Sequence, residues 1–200
     1  MGTQLLETIK CLNGELFDLK WHNDRFNQAR HEHIGLHTKI NLANFIKVPA
    51  SAKKGLFRCR ISYSESINKL EFIPHQYTTI NSLKLIEDNE IDYRFKYADR
   101  SKLTKLYEKR GDCDDILIVK NDYITDSFTA NPIFFDGANW WSPDTPLLAG
   151  TKRAKLLSEG KILLTGITKN DLWRYQKVGL INAMWDLENM PVINITNIHN

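Results

Sequence analysis

Three short stretches of the sequence combine residue types that could do chemistry, and the first surrounds a lysine. In "YRFKYADR", Lys96 stands between Phe95 and Tyr97. A lysine held among aromatic groups loses hydration, which favours the neutral amine and makes it a candidate nucleophile for a carbonyl carbon. A surface lysine whose methylene chain passes aromatic neighbours gives the same pattern, and the pattern alone favours that interpretation.

The second stretch, "YITDSFTANPIFF", has the aromatic and β-branched residues of a strand but carries Asp126 in its middle. An unpaired carboxylate is costly in an apolar environment, so Asp126 either faces solvent or meets a cation. Because antiparallel strands often have one solvated face, spacing alone favours the solvent-facing alternative.

The third stretch is "LLAGTKRAKLL", in which Gly150 precedes a predicted helix. The first amides of that helix belong to Thr151, Lys152 and Arg153. Free amides at the start of a helix bind phosphate well, although an ordinary helix start gives the same string.

Other clusters of reactive residue types do not indicate a metal site. His31, His33 and His37 lie in "HEHIGLH", where Gly35 interrupts the helix and no carboxylate cluster accompanies them. The three cysteines are scattered and never form a CxxC pair, so they predict neither a disulfide framework nor a zinc cage. We expect no metal.

Composition describes an ordinary globular protein of 200 residues, with 42% hydrophobic and 26% charged residues. A formal charge of +3 with acids and bases evenly mixed does not indicate nucleic-acid binding. No apolar run approaches the ~18 residues of a membrane span, and the amino terminus lacks the pattern of a secretory signal. These features predict a cytosolic protein with no membrane association.

The first eighty residues predict a small α+β domain, which we place at residues 1–79. Two strands flank the turn residues Asn13 and Gly14, and a helix over "WHNDRFNQARHEHIG" ends at Gly35. A second helix is predicted over "INLANFIKVP", ended by Pro49, and two alternating strands follow.

A larger, β-rich carboxyl-terminal domain is predicted over residues 83–200. It begins with a helix over "DRSKLTKLYEKRG" and continues as a β meander. A helix over "TKRAKLLSEG", a strand over "KILLTGI" and a capping box from Thr168 to Asp171 come next, and the chain closes as strand, turn and strand.

Taken in order, these features resemble the class IV aminotransferases, the fold type IV pyridoxal-phosphate (PLP) enzymes. That family includes branched-chain and D-amino-acid aminotransferases and 4-amino-4-deoxychorismate lyase. The resemblance runs from "ETIK" to "NAMWDLENMPV". It implies a two-domain α+β fold like that of D-amino-acid aminotransferase, PLP as cofactor, a small-molecule amino substrate and a homodimer.

The resemblance also implies a role for each matching residue. The "HNDR" pattern supplies Arg25 for the cofactor phosphate, "KYADR" supplies Lys96 for covalent attachment of the cofactor, and "DSFTAN" supplies Asp126 and Asn131 for the pyridine nitrogen. Backbone amides of Thr151 and Lys152 and the segment at Asn182 and Ala183 match the remaining phosphate contacts. The family usually has glutamate at the position of Asp126.

Two features separate the reactions that this family performs. Thr8 in "LLETIK" and the "NAMWDLENMPV" ending match the lyase members, although threonine is common in strands for propensity reasons alone. Arg58 and Arg60, which alternate onto one strand face, and Lys10 are candidates for a substrate carboxylate.

The resemblance therefore favours a lyase acting on 4-amino-4-deoxychorismate, with an amino-acid aminotransferase as the alternative. A third alternative is a degenerate relative that binds an anionic ligand without turnover. The aspartate at 126 and a start close to "ETIK", without the leading strands of larger members, would suit such a relative.

Overall fold

The computed structural model describes residues 3–200, which form two compact units. The smaller unit runs to Tyr77 and also includes the short segment Phe95–Asp99. The larger unit comprises Thr78–Arg94 and Arg100–Asn200. Lys96 therefore belongs to the smaller unit, although the segments before Phe95 and after Asp99 belong to the larger one.

The smaller unit is built on an antiparallel sheet in the order β2-β1-β3-β4. Its strands are β1 (Leu5–Leu12), β2 (Glu15–Leu16), β3 (Leu56–Tyr63) and β4 (Ile67–Pro74). The predicted hairpin is confirmed, and Asn13 and Gly14 both have positive φ (52° and 86°), as a tight two-residue turn requires.

One helix, α1 (Leu19–Ala29), packs on this sheet and continues as a π-helical turn over Arg30–Ile34. It ends at Gly35, whose φ of 83° is left-handed, so the predicted glycine stop is confirmed. Phe26 and Ala29 of α1 are buried with Ile9, Cys59 and Ile61 on the inner face of the sheet.

The predicted helix over "INLANFIKVP" is wrong, because only a 3-10 turn over Leu42–Asn44 forms there. Side chains of α1 bind the backbone that this helix would have used. The amide of Ile40 donates to Asn27 Oδ1 and that of Leu42 to Asn23 Oδ1, each at 2.8 Å. Asparagine side chains compete in this way with helical hydrogen bonds.

The larger unit contains two sheets. The first, in the order β13-β5-β6-β7, consists of β5 (Leu83–Glu87), β6 (Asp115–Lys120), β7 (Tyr123–Ser127) and β13 (Ile198–His199). The second, in the order β10-β9-β8-β11-β12, consists of β8 (Asn131–Phe135), β9 (Trp140–Pro143), β10 (Leu163–Thr165), β11 (Lys177–Ile181) and β12 (Val192–Asn194).

Two helices complete the larger unit, α2 (Ser101–Tyr107) and α3 (Thr151–Ser158), both at predicted places. The capping box of Thr168 and Asp171 is confirmed and begins a 3-10 helix over Lys169–Arg174. The stretch "YITDSFTANPIFF" is not one strand. It forms β7 and β8, which belong to different sheets and are joined by a turn at residues 128–130.

Over residues 3–200, we find no helix that combines the length and the apolar character of a membrane span.

Candidate functional site

Asp126 lies on β7 with only 6% of its surface exposed, so the solvent-facing alternative is wrong. Its Oδ1 accepts a hydrogen bond from Asn131 Nδ2 at 2.6 Å, and its Oδ2 accepts one from the Leu148 amide at 2.8 Å. Burial nevertheless raises the pKa of this carboxyl to about 7. A cation brought against Asp126 would lower that pKa and hold the carboxylate ionised.

The turn between β7 and β8 determines how Asp126 and Asn131 meet. The amide of Phe128 donates to Asp115 Oδ1 at 3.3 Å, and its carbonyl accepts from Arg100 Nη2 at 2.6 Å. The guanidinium of Arg100 also lies over the Phe128 ring, 4.2 Å from its centroid. Neither Asp115 nor Arg100 carries a sequence signal of its own for a turn thirteen or more residues away, so their part in this turn could not be predicted.

Gly150 allows the start of α3 to approach this pair of residues. A side-chain carbon on Gly150 would overlap the amide oxygen of Asn131. Asn131 Nδ2 also donates to the Leu148 carbonyl at 3.0 Å, which binds the segment before α3 to the same amide. The glycine is required for this close approach rather than for a special backbone angle.

The buried start of α3 carries Thr151, Lys152 and Arg153. The first amides of a helix have no intrahelical acceptor, so they are oriented to bind an anion. Lys152 Nζ lies 2.7 Å from Asp186 Oδ2, so this side chain is directed toward Asp186. Its backbone amide is therefore the group that remains a candidate anion ligand.

Asn182 begins a turn at the end of β11 that carries Ala183. Its Oδ1 accepts hydrogen bonds from the amides of Met184 and Trp185 at 2.9 and 3.0 Å. Its Nδ2 donates to the Thr129 carbonyl at 3.4 Å, in the turn after Asp126. Within the larger unit, the structure thus links Asn182 to the turn that separates Asp126 from Asn131.

In the smaller unit, Arg25 is held by a buried carboxylate that sequence analysis did not single out. Glu7 has no exposed surface. Its Oε1 accepts from Arg25 Nε at 2.9 Å, and its Oε2 accepts from Arg25 Nη2 at 2.7 Å and from His22 Nδ1 at 2.6 Å. A two-point bond of this kind fixes the plane of the guanidinium. Glu7 therefore orients Arg25, and His22 shares the same carboxylate.

The pKa of Glu7 makes the stability of the smaller unit depend on pH. Burial alone raises this pKa, but the charge of Arg25 and the bond from His22 outweigh burial and lower it from 4.5 to about 2. An acid whose pKa is lowered in the folded state stabilises the fold above pH 4.5. This stabilisation is lost as the pH falls toward 2 and the acid becomes protonated. At 1.36 kcal/mol per pKa unit, this contribution is about 3 kcal/mol.

We expect the free energy of unfolding of the Glu7→Gln variant to fall by about 3–5 kcal/mol at pH 7, because Arg25 loses its buried partner. Urea unfolding at pH 7 and pH 3.5 measures this loss. The wild type should lose stability between these pH values, and the variant should lose less. Glu15→Gln, at an exposed position, is the matched control. Equal acid sensitivity of wild type and Glu7→Gln would contradict the role of Glu7.

Lys96 is attached to the edge of β1 by its backbone. The Leu6 amide donates to the Lys96 carbonyl and the Ala98 amide to the Gln4 carbonyl, both at 2.8 Å, and Tyr97 pairs with Leu5. Phe95 and Tyr97 pack on the inner hydrophobic core. In the antiparallel register set by the Leu5–Tyr97 pair, Lys96 is opposite Leu6, whose position alternates onto the outer face of β1.

Thr8 lies on the same outer face of the sheet. It is opposite Arg60 in the register of β1 and β3, and Lys10 is opposite Arg58. Directly opposite residues share a face, so these four side chains and Lys96 lie on one surface of the smaller unit. Arg25 and Glu7 lie with α1 on the other side of the same sheet. The structure therefore divides the predicted residues of this unit between its two faces.

The three histidines His31, His33 and His37 make ring contacts. The His33 ring lies 5.0 Å from that of Phe95 and 5.6 Å from that of Tyr97. In the part of the chain that the structure describes, no group of three or more His, Cys, Asp or Glu residues could hold a metal ion.

The residues present fit PLP. The buried carboxyl of Asp126, with its raised pKa, suits a protonated ring nitrogen, and the glycine-preceded start of α3 suits a phosphate. In the smaller unit, Lys96 has a primary amine, which is the group that attaches an aldehyde.

Comparisons with known proteins agree with this chemistry. No protein-family model matches the chain. A protein of Haemophilus influenzae (strain Rd) described as uncharacterized is 37% identical over 182 residues, covering 90% of this chain and 97% of that protein. A crystal structure from Haemophilus somnus 129PT, named provisionally as a 4-amino-4-deoxychorismate lyase, is 33% identical with a TM-score of 0.86, covering 91% of this chain and 96% of the other.

A more distant structure contains the cofactor. It is a hypothetical aminotransferase from Mycobacterium tuberculosis in its PLP-bound form, 14% identical with a TM-score of 0.77. The match covers 96% of this chain and 80% of that one. At this identity, the likeness shows a shared fold.

Proposed function

The chain belongs to the class IV aminotransferase family, the fold type IV PLP enzymes, and we propose that it is the lyase that splits 4-amino-4-deoxychorismate into p-aminobenzoate and pyruvate. One structural observation carries the choice of reaction: Thr8 lies on the same sheet face as Lys96. The provisional name of the 33% identical Haemophilus somnus protein supports the same choice.

In this reaction the substrate loses the hydrogen on the carbon that bears its amine, and the bond from the ring to the enolpyruvyl oxygen breaks. The ring becomes aromatic and the side chain leaves as pyruvate, so no second substrate is consumed. PLP, when bound, supplies an electron sink for the charge left at the amine-bearing carbon.

Each residue of the smaller unit has its own part in the proposal. Lys96 would hold the cofactor through its side-chain amine, and the same amine would act as the general base that removes the proton from the substrate. Thr8 donates a hydrogen bond to the departing enolpyruvyl group. Arg25, oriented by Glu7, binds the cofactor phosphate.

In this proposal, the residues of the larger unit bind the cofactor and take no part in proton transfer to or from the substrate. Asp126 would hold the pyridine nitrogen of the cofactor in its protonated form, and Asn131 fixes the position of Asp126 through its hydrogen bond. The amides of Thr151 and Lys152 and the segment at Asn182 and Ala183 contact the phosphate.

The test is to supply 4-amino-4-deoxychorismate to the PLP-loaded protein with no keto acid present. We expect p-aminobenzoate and pyruvate in equal amounts. The Thr8→Val variant, which keeps the shape of the side chain but removes the hydroxyl, should lower kcat by ~10²–10⁴ without loss of bound cofactor. Activity only with an amino donor paired with a keto acid would defeat the lyase proposal and establish an aminotransferase.

Family resemblance is also the ground for proposing that the enzyme is a cytoplasmic homodimer, and that its p-aminobenzoate serves folate synthesis.

A further inference from the structure

An ion pair between Lys152 and Asp186 joins two segments of the larger unit that are far apart in the sequence. Lys152 is the second residue of α3, and Asp186 lies in the loop between β11 and β12. Lys152 Nζ is 2.7 Å from Asp186 Oδ2, and only 5% of the lysine side chain is exposed. A buried ammonium is costly unless a carboxylate compensates its charge. The need of Lys152 for this partner therefore fixes where the loop meets α3.

The backbone of the loop holds Asp186 in place. Its Oδ1 accepts from the Leu187 amide at 2.9 Å, and its amide donates to Asn189 Oδ1 at 2.7 Å. Its carbonyl accepts from the amides of Asn189 and Met190 at 3.1 and 2.8 Å. Met190 in turn packs on Gly179 of β11, where a side-chain carbon would overlap its thioether. A carboxylate held in this way can determine the position of the lysine that it binds.

The charges of α3 keep Asp186 ionised. Burial raises the pKa of this carboxyl, but the hydrogen bond and the charge of Lys152, together with the charge of Lys155, outweigh burial and lower the pKa below its usual value. The contact between Lys152 and Asp186 is thus a true ion pair at neutral pH.

The Asp186 loop begins with the turn at Asn182. The Asn182 amide donates to the Trp185 carbonyl and the Trp185 amide to the Asn182 carbonyl, both at 3.2 Å, so this turn closes at the residue before Asp186. The ion pair therefore joins the start of α3 to the segment at Asn182 and Ala183. These are the two segments of the larger unit to which the proposed function assigns the cofactor phosphate.

We propose that Asp186 is a positioning residue, which acts through Lys152 to hold these two segments at the spacing that a phosphate group requires. The inference rests on the proposed function in one respect, because that proposal assigns the phosphate to them. The Lys152 side chain binds Asp186 and leaves the phosphate to the backbone amides. A small misplacement of such groups is enough to weaken binding strongly.

Position and charge predict opposite effects for the removal of Asp186. The carboxylate is an anion near an anion site, so by charge alone its loss would strengthen the binding of a phosphate. If Asp186 acts through position, its loss weakens that binding instead. The sign of the change therefore distinguishes the two roles.

The test measures binding to the full chain freed of PLP, with two probes that lack the aldehyde and so cannot attach to Lys96. Deoxypyridoxine phosphate carries the phosphate group, and deoxypyridoxine does not. Calorimetry should show that the wild type binds the phosphorylated probe at least tenfold more tightly than the other. For Asp186→Asn we expect affinity for the phosphorylated probe to fall at least tenfold and affinity for deoxypyridoxine to change less than twofold.

Two further variants control for charge and for folding. Glu159→Gln removes a carboxylate from the pair that Lys155 and Glu159 form on the same helix at 4.0 Å, and we expect it to change either affinity less than twofold. The double variant Lys152→Met/Asp186→Asn keeps the net charge and leaves no buried ammonium unpaired. It should show the same selective loss as Asp186→Asn, and it decides if circular dichroism shows that the single variant does not fold.

Three results would overturn the role of Asp186. Tighter binding of deoxypyridoxine phosphate by Asp186→Asn would show that the carboxylate acts through charge. Unchanged affinity for that probe would show that the ion pair does not set the spacing. Equal losses for both probes, or a wild type that does not prefer the phosphorylated probe, would show that no phosphate site depends on it.

Failure of this role and failure of the proposed reaction give different results. A selective loss of phosphate affinity in Asp186→Asn, with no p-aminobenzoate formed by the wild type, would keep the positioning role and reject the lyase. Formation of p-aminobenzoate by the wild type, with unchanged phosphate affinity in Asp186→Asn, would keep the lyase and reject the positioning role.

Discussion

Replacing Lys96 by alanine is expected to abolish covalent attachment of PLP and to lower kcat by ~10⁴–10⁶, the loss typical when an enzyme's nucleophile is removed. Lys96 lies on the outer face with Thr8, and the family resemblance gives this amine both the attachment and the proton transfer. Loss of one residue therefore removes two functions. The exposed Lys102 on α2 supplies the matched control, Lys102→Ala, for which we expect wild-type spectra and rates.

The measurement is the visible absorption spectrum of the PLP-loaded protein before and after borohydride reduction. The wild type should show a band that borohydride removes, and mass spectrometry should then find the reduced cofactor on the peptide containing Lys96. Lys96→Ala should show neither. A wild type without such a band, even in excess PLP, would reject the enzyme and favour a protein that binds an anion without turnover.

Local signals in the sequence predicted most of the elements correctly. The Asn13-Gly14 turn, the glycine stop at Gly35 and the Thr168 to Asp171 capping box depend on backbone angles and bonds within a few residues, and all three are present. The helix predicted near Leu42 does not form, because a contact distant in the sequence determines the structure there. Asn23 and Asn27 of α1 bind the backbone there, and a contact over 13 to 19 residues leaves no local periodicity.

The surroundings of the candidate residues were harder to predict than the residues themselves. Alternation along β1 placed Glu7 on the inner face with Leu5 and Ile9, so an inward-facing carboxylate could have been found and paired with the "HNDR" motif. The position of Lys96 beside β1 could not have been predicted from the sequence, because ninety residues separate Lys96 from Leu6 and no turn or periodic pattern connects them.

Asp126→Asn is expected to lower kcat by ~10²–10³, the usual loss when one preorganised electrostatic partner of the reacting system is removed. The neutral amide of asparagine lacks the negative charge that stabilises a protonated ring nitrogen. It also presents one acceptor where Asp126 uses two, toward Asn131 and Leu148. The measurement is kcat together with the visible spectrum at saturating PLP. Asp24→Asn, at an exposed helix position, is the control, and an unchanged kcat in Asp126→Asn would contradict the role of Asp126.

Asp126→Glu tests why this chain has aspartate where its family usually has glutamate. Both oxygens of Asp126 are already bound by Asn131 and Leu148, and Gly150 leaves no space beside Asn131. An added methylene in such a packed site costs about 1–3 kcal/mol. We therefore expect the variant to be less stable and slower than the wild type, although it retains the charge. A variant as stable and as fast as the wild type would show that the shorter side chain is not matched to its surroundings. Loss of activity with the charge intact would show that position, as well as charge, determines how this carboxylate acts.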